Sequence, residues 1–380
     1  MLPMNAKNSH DLRQRFCSVP WHHFEVAIDQ KVYLCCPGFL PVPVGDLRRE
    51  PPFAIWNSEA ARSVRESIID GSFRYCDKQC CPDLVNRRLP LRDWVGEPPG
   101  LLPIPPTSLR IPYSLEKAVL FHKPPEAVCH HWPTRVQLAN DRSCNLACPS
   151  CRPRFFMTGV DEQEEVHRSF QHLLWDALLR AKRLRMNGAG EFLVSKPCRD
   201  LLKELSRTRV PDLRFEFITN GQLFSRTIYD NFDLTGRIEL IYVSVDAANS
   251  FTYQLLRPGG DFTRLLQNIE FMAELRSTGE EAFCLTLAFV ASALNFREMP
   301  AFVRMARQFD AKVSFSRMRN WGHFNETVFA HLDVTRDAHP MHADFVRTLC
   351  ALKSEDAKLD LGDLASCLPV PDGPDTSAVE

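Results

Sequence analysis

The sequence predicts an α/β fold: six β–α units forming a parallel sheet, preceded by a small cysteine-rich N-terminal region. Three observations predict it. Beyond Arg135, short apolar runs of β-favouring residues alternate with longer stretches of helical periodicity, the order that right-handed crossovers turn into a parallel sheet. Six of the 14 cysteines fall before residue 82, in a segment too short and loop-rich to build much core. Three more, Cys144, Cys148 and Cys151, follow the first strand of the alternating region directly, at C-x3-C-x2-C spacing.

In chain order, Trp21–Ile28 and Lys31–Cys35 are apolar runs around Asp29-Gln30, which suits a hairpin. Ile55-Trp56, Ala60, Val64 and Ile68 recur at helical spacing, and Gly71 stands where that helix stops. The cysteines here are Cys17, Cys35, Cys36, Cys76, Cys80 and Cys81. A bound metal centre would supply the stability this segment lacks. From Asp93 to Pro133 proline is dense, which blocks helix and central strand and predicts an extended strap. Cys129-His130-His131 ends it, but neighbours in an extended chain point opposite ways, so these read as surface imidazoles.

Strands are predicted at Val136–Ala139, Leu184–Asn187, Arg214–Ile218, Ile238–Val245, Phe283–Val290 and Lys312–Phe315. Helices are predicted at Glu162–Lys182, Cys198–Arg209, Phe262–Leu275 and Phe296–Phe309. Loops at the C-terminal ends of parallel strands build the site in such folds. The cluster of three thiols follows the first strand, and Asn187-Gly188-Ala189-Gly190-Glu191 follows the second. Leu193 replaces the third glycine of a dinucleotide fingerprint, which argues against that reading. Thr219-Asn220-Gly221 and Val243-Ser244-Val245-Asp246 end the next two strands, with Ser244 and Asp246 on one face. Cys284 reads as core. Cys198, Cys350 and Cys367 are too dispersed for another metal site, and the polar tail after Val370 reads as disordered.

Lys+Arg 46 against Asp+Glu 47 disfavours a nucleic-acid partner. No apolar run is long enough to span a membrane, and 14 cysteines suit a reducing, cytoplasmic compartment.

A short loop with three thiols can ligate an iron–sulfur cluster and leave one iron open, whereas zinc prefers four ligands in C-x2-C-like halves. Cys144-x3-Cys148-x2-Cys151 resembles the cluster loop of the radical S-adenosylmethionine (radical SAM) enzymes. That resemblance implies a partial (β/α)6 barrel, a [4Fe–4S] cluster and reductive cleavage of S-adenosyl-L-methionine to a 5′-deoxyadenosyl radical. It also implies cofactor contacts at Gly188, Gly190, Glu191, Asn220, Ser244, Asp246 and Arg257. Many members carry an aromatic residue before the third cysteine, where this chain has Ser150. The N-terminal order of Cys17, Cys35-Cys36 and Cys76 to Cys81 resembles the SPASM auxiliary-cluster module, placed before the cluster loop and shortened. By that resemblance Cys17, Cys35, Cys76 and Cys81 ligate one auxiliary [4Fe–4S] cluster, with Cys36 and Cys80 able to exchange with their neighbours. Structural zinc or unligated thiols are the alternatives for this module.

The expected domains are residues 1–92 (SPASM-like), 93–133 (strap), 134–325 (partial barrel) and 326–380 (helical extension and tail). The expected function is hydrogen abstraction from a peptide or small-molecule substrate in an oxidation, epimerisation or cross-linking reaction. A flavodoxin- or ferredoxin-type electron donor is the expected partner. A non-catalytic iron–sulfur sensor or scaffold is the alternative. One of Arg317 and Arg319 is expected to meet substrate, the other to form a surface salt bridge.

Overall fold

In the computed structural model, residues 11–91, 125–152, 154–170, 175–186, 189–208, 210, 212–279, 281–353 and 358–369 are described. The strap up to Pro124, Gly188 and the tail from Val370 lie outside them.

The strands are β1 (His23–Ala27), β2 (Lys31–Tyr33), β3 (Gly45–Asp46), β4 (Arg135–Ala139), β5 (Arg183–Met186), β6 (Arg214–Thr219), β7 (Ile238–Ser244), β8 (Cys284–Ala291), β9 (Lys312–Arg317) and β10 (Leu359–Asp360). They form one sheet in the order β10-β9-β8-β7-β6-β5-β4-β1-β2-β3. The run β4 to β9 is parallel and sequential, as the alternating pattern predicts. β2 and β3 close one edge as antiparallel strands.

Two parallel strands exceed the six expected. β1 pairs in parallel with β4, from His23↔Arg135 to Ala27↔Ala139. β10, only two residues long, pairs in parallel with β9. The N-terminal hairpin and the main unit therefore share one sheet. An unpaired β4 would leave a row of open backbone groups, and β1 supplies their partners. Side chains fasten the same junction: Trp56 Nε1 donates to His131 O at 2.9 Å and Trp21 Nε1 to Glu126 O at 2.8 Å. Asn57 and the buried Cys129 exchange two hydrogen bonds of 2.8 and 2.9 Å. Arg65, on the helix Glu59–Ile69, is buried over Trp56 and donates to Pro20 O and Ala127 O.

The faces of the sheet differ. Val26, Leu138, Met186, Phe217 and Ile241 stand side by side across five strands and are buried in the core. One residue earlier, Glu25, Gln137, Arg185 and Glu216 form a polar row on the opposite face. A parallel sheet with both faces packed would be apolar on both. Here Glu216 is buried between Arg135 (2.9 Å) and Arg185 (2.6 Å), which outweigh the effect of burial and hold its carboxyl below the ordinary range. Among the described residues no helix is long and apolar enough to cross a membrane.

Candidate functional site

The loop after β4 folds back on itself before any ligand is considered. Cys144 N donates to Phe156 O at 2.9 Å, and Cys151 N and Arg152 N both turn onto Cys148 O. Asp141 is the buried anchor: its Oδ1 accepts from Ser143 N (2.7 Å) and Thr158 Oγ1 (2.6 Å), its Oδ2 from Ser195 Oγ (2.6 Å). The loop is thereby fixed to the turn that follows β5. A further bond, Ala147 N to Pro258 O at 3.0 Å, fixes it to the segment after β7.

Each of the three thiols faces one nitrogen donor from a different place. Asn220 Nδ2, beyond β6, is 3.9 Å from Cys144 Sγ, and Arg257 Nη1, beyond β7, is 3.6 Å from Cys148 Sγ. Arg152 Nη2, within the loop, is 3.5 Å from Cys151 Sγ. Burial raises the Cys144 and Cys148 thiols above their ordinary pKa, while Arg257 draws Cys148 the other way. Cys151 is exposed.

The glycine turn closes against the same loop. A Cβ on Gly190 would lie 2.3 Å from Ser143 O and 2.7 Å from Asp141 O, so only glycine fits. Glu191 N donates to Ser143 O at 2.8 Å. The Glu191 carboxylate is buried and accepts from Thr219 Oγ1 (2.9 Å) and Asn220 N (2.7 Å). Burial pushes its pKa up to about 7 against those two bonds. Asn220 Nδ2 also donates to Asn145 Oδ1 at 2.9 Å. Ser244 ends β7, half-buried.

Asp246 lies past the strand in the left-handed region, with φ of 66°. Its Oδ1 accepts from Val290 N at 2.8 Å, and its Oδ2 meets Arg257 Nη2 at 2.5 Å. The sequence gives these two residues separate duties; in the fold they are one ion pair. Burial alone would lower the Arg257 pKa, but Asp246 and Cys148 outweigh it and the net shift is upward. Arg257 Nε is buried without a partner among the described residues, an open donor beside Cys148. Gly259, with φ of +91°, lets the segment after Arg257 pack on Phe155 and Asn145 O.

In the N-terminal region, Asp77 N donates to Phe39 O at 2.7 Å and ties the two cysteine loops together. Asp77 Oδ1 caps its own turn by accepting from Gln79 N and Cys80 N, both at 2.9 Å. Cys35 has its thiol raised well above the ordinary value, first by burial, then by Cys17, Cys36, Cys81 and Cys76. Cys76 is pushed to about 12 by burial, then by Cys17 and Cys81. Cys35 thus feels Cys17, Cys36, Cys81 and Cys76, and Cys76 feels Cys17 and Cys81. Cys36 is raised to about 11 and feels Glu25 and Arg319 as well.

Among the described residues no three His, Cys, Asp or Glu side chains converge on a single ion. Thiolates around one zinc would lie about 3.8 Å apart, from Zn–S bonds of about 2.3 Å. A cluster spreads its thiolates over several irons, so mutual proximity, all-thiol composition and the orphaned Arg257 donor are the relevant tests of fit. In the loop after β4, Cys144 feels Cys148, Cys148 feels Cys151, and all three groups are thiols.

Of the two arginines, Arg319 forms the expected salt bridge, though with a buried partner. Arg317 Nη2 approaches Cys367 Sγ at 3.6 Å, and Arg319 Nη2 donates to Asp363 Oδ2 at 3.0 Å. The short helix Gly362–Cys367 claims both, a segment whose weak pattern gives no warning of it. Asp141, Asn145 and Arg152 also escape sequence reasoning, although Asn145 sits inside the cysteine motif.

The family model of the SPASM iron–sulfur cluster-binding domain matches residues 17–82. No curated protein matches. SuiB of Streptococcus suis, solved bound to S-adenosylmethionine, is 14% identical with a TM-score of 0.42, over 60% of this chain and 50% of its own. HydG, a maturase of the [FeFe]-hydrogenase, is 16% identical with a TM-score of 0.36, over 59% and 50%. The radical S-adenosylmethionine methyltransferase TsrM of Kitasatospora setae is 16% identical with a TM-score of 0.32, over 47% and 33%. This chain thus spans half the length of SuiB. Residues 17–82 thus resemble the SPASM iron–sulfur cluster-binding domain.

Proposed function

We propose that this chain is a radical SAM enzyme acting on a peptide or small-molecule substrate, with β4 to β9 as its partial (β/α)6 barrel. On this reading Cys144, Cys148 and Cys151 hold a [4Fe–4S] cluster with an open iron, and Cys17, Cys35, Cys76 and Cys81 hold a second. When bound and reduced by a flavodoxin- or ferredoxin-type donor, the first cluster supplies the electron that cleaves S-adenosylmethionine for hydrogen abstraction. The outcome for the substrate is an oxidation, epimerisation or cross-link.

One observation supports this reading: three thiols on the loop after β4 each face a separate nitrogen donor, two of them carried by the segments that follow the parallel strands β6 and β7. Hydrogen bonds to sulfur raise a cluster's potential, and the strand ends are where such folds place ligands. Arg257, with a buried unused Nε, would oppose the carboxylate of the bound sulfonium. Glu191 would accept from its ammonium, and Gly190 brings the turn after β5 close to the thiol loop; Gly188, the other glycine of the expected contact, lies outside the described residues. Asn220, Ser244 and Asp246 would complete the polar lining.

Anaerobically reconstituted protein given dithionite and S-adenosylmethionine should release 5′-deoxyadenosine, and Cys144→Ala should abolish release. No 5′-deoxyadenosine from cluster-loaded protein would defeat the reading. The auxiliary cluster is read as an electron acceptor for the substrate radical. A folded Cys76→Ala variant should then cleave the sulfonium yet form no product.

A further inference from the structure

We propose that Arg319, carried past the end of β9, sets the reduction potential of the cluster held by residues 17–82, with Asp363 opposing it. The inference rests on the iron–sulfur reading of that segment, but Arg319 lies outside it by more than 200 residues.

The guanidinium sits between the two cysteine loops. Arg319 Nη2 donates to Cys80 O at 3.0 Å, one residue from Cys81. Its Cζ lies 5.2 Å from the Phe39 ring, in the turn that follows Cys35-Cys36. The same segment covers that turn: a Cβ on Gly38 would stand 3.3 Å from the Trp321 ring and 3.7 Å from Cys36 Sγ. Asp363 Oδ2 meets Arg319 at 3.0 Å, and Asp363 Oδ1 accepts from Arg317 N at 2.8 Å. Asn86 Nδ2 donates to Gly362 O at 2.7 Å, so the N-terminal module grips the segment that carries Asp363.

The pair is shielded enough for its field to act. The Arg319 side chain is 23% exposed and that of Asp363 7%. Near-surface charges keep an effective dielectric well below that of water. Reduction adds one electron to the cluster and makes it more negative by one charge, with no bond made or broken. A fixed cation beside it favours the reduced form, and a fixed anion the oxidised form. The cation stands nearer the loop, on Cys80 O, and Asp363 tempers it from behind.

The test uses the full chain with Cys144, Cys148 and Cys151 all replaced by alanine, so that one cluster remains. Anaerobic iron and sulfide contents are measured. Dithionite, itself oxidised to sulfite, then serves as reductant, and the reduced fraction is read by electron paramagnetic resonance at set potentials. R319Q should lower the reduced-to-oxidised ratio at fixed potential about tenfold, equivalent to ~59 mV for one electron. D363N should raise it, and R319K should stay near the parent. An unchanged ratio in R319Q at parent iron content overturns the proposal. So does movement of R319Q and D363N in the same direction, which loosening of the structure would give. Should R319Q lose its cluster, D363N decides alone, and an unchanged or lower ratio overturns it. A parent without iron and sulfide defeats the cluster reading itself, and is recognised by that absence.

Discussion

Arg257 holds Asp246 at 2.5 Å through Nη2 while its Nη1 points at Cys148 Sγ, 3.6 Å away. One guanidinium therefore joins the end of β7 to the thiol loop after β4. The pair is buried, with side-chain exposures of 14% and 9%.

Asp246→Asn should be strongly destabilising. It keeps a residue type that tolerates positive φ, so the backbone is not the cause. It strands a buried guanidinium, and breaking one side of such a pair costs about 3–5 kcal/mol. Urea unfolding of the cluster-free protein is the measurement. The double variant Asp246→Asn/Arg257→Met should recover at least half of the loss, because a neutral pair leaves no stranded charge.

Glu191 should impose a pH slope on stability. Its folded pKa of about 7 lies above the ordinary carboxyl value of 4.5. Between those two values the folded state keeps a proton that the unfolded state has released. Stability therefore falls as pH rises from about 4.5 to 7 and levels off above, by an amount on the order of 3 kcal/mol. Glu191→Gln should remove that slope in unfolding curves of the cluster-free protein taken at pH 5, 6, 7 and 8. A slope identical to wild type would show that Glu191 is ionised throughout.

The strands of the main unit were legible because Val136–Ala139 or Phe283–Val290 can scarcely be anything else. The pairing of β1 with β4 was not, since 107 residues lie between Ala27 and Arg135 in the chain and no local pattern encodes their register. Two-residue β10 carries too little pattern to be read. In the site, types and positions were legible but partnerships were not. Asp246 and Arg257 look like independent ligand contacts until the helix Ser250–Leu256 between them brings them together. Arg319 looks like a cavity arginine until Asp363 arrives from a segment with no motif.

Cluster loading should sort the N-terminal cysteines. Cys35→Ala and Cys76→Ala, whose thiols feel four and two neighbouring thiols respectively, should lose about one cluster's iron. Cys80→Ala should keep it. Reconstitution should be faster at pH 8.5 than at pH 7, because ligands bind as thiolates and burial holds these thiols protonated. Removing iron by chelation should lower the thermal midpoint of the wild type more than that of Cys35→Ala. Iron and sulfide per chain, with visible absorption, report the outcome.

Gly190→Ala isolates the geometry of the thiol loop from its chemistry. The added methyl meets two backbone carbonyls, of Ser143 and Asp141, at 2.3 and 2.7 Å, and neither can swing away as a side chain would. Ser143 precedes Cys144, so relief of the clash displaces the first thiol of the motif. Overpacking of this kind costs about 1–3 kcal/mol. The variant should retain the auxiliary cluster and lose the other, roughly halving iron per chain. Gly159→Ala is the control: a Cβ there meets nothing within 4 Å, and its φ of −63° suits any residue. Gly159 is the N-cap of the helix Val160–Arg168, so that change should cost up to about 1 kcal/mol while keeping full iron. Equal iron in the two variants would mean that the glycine turn does not position the loop.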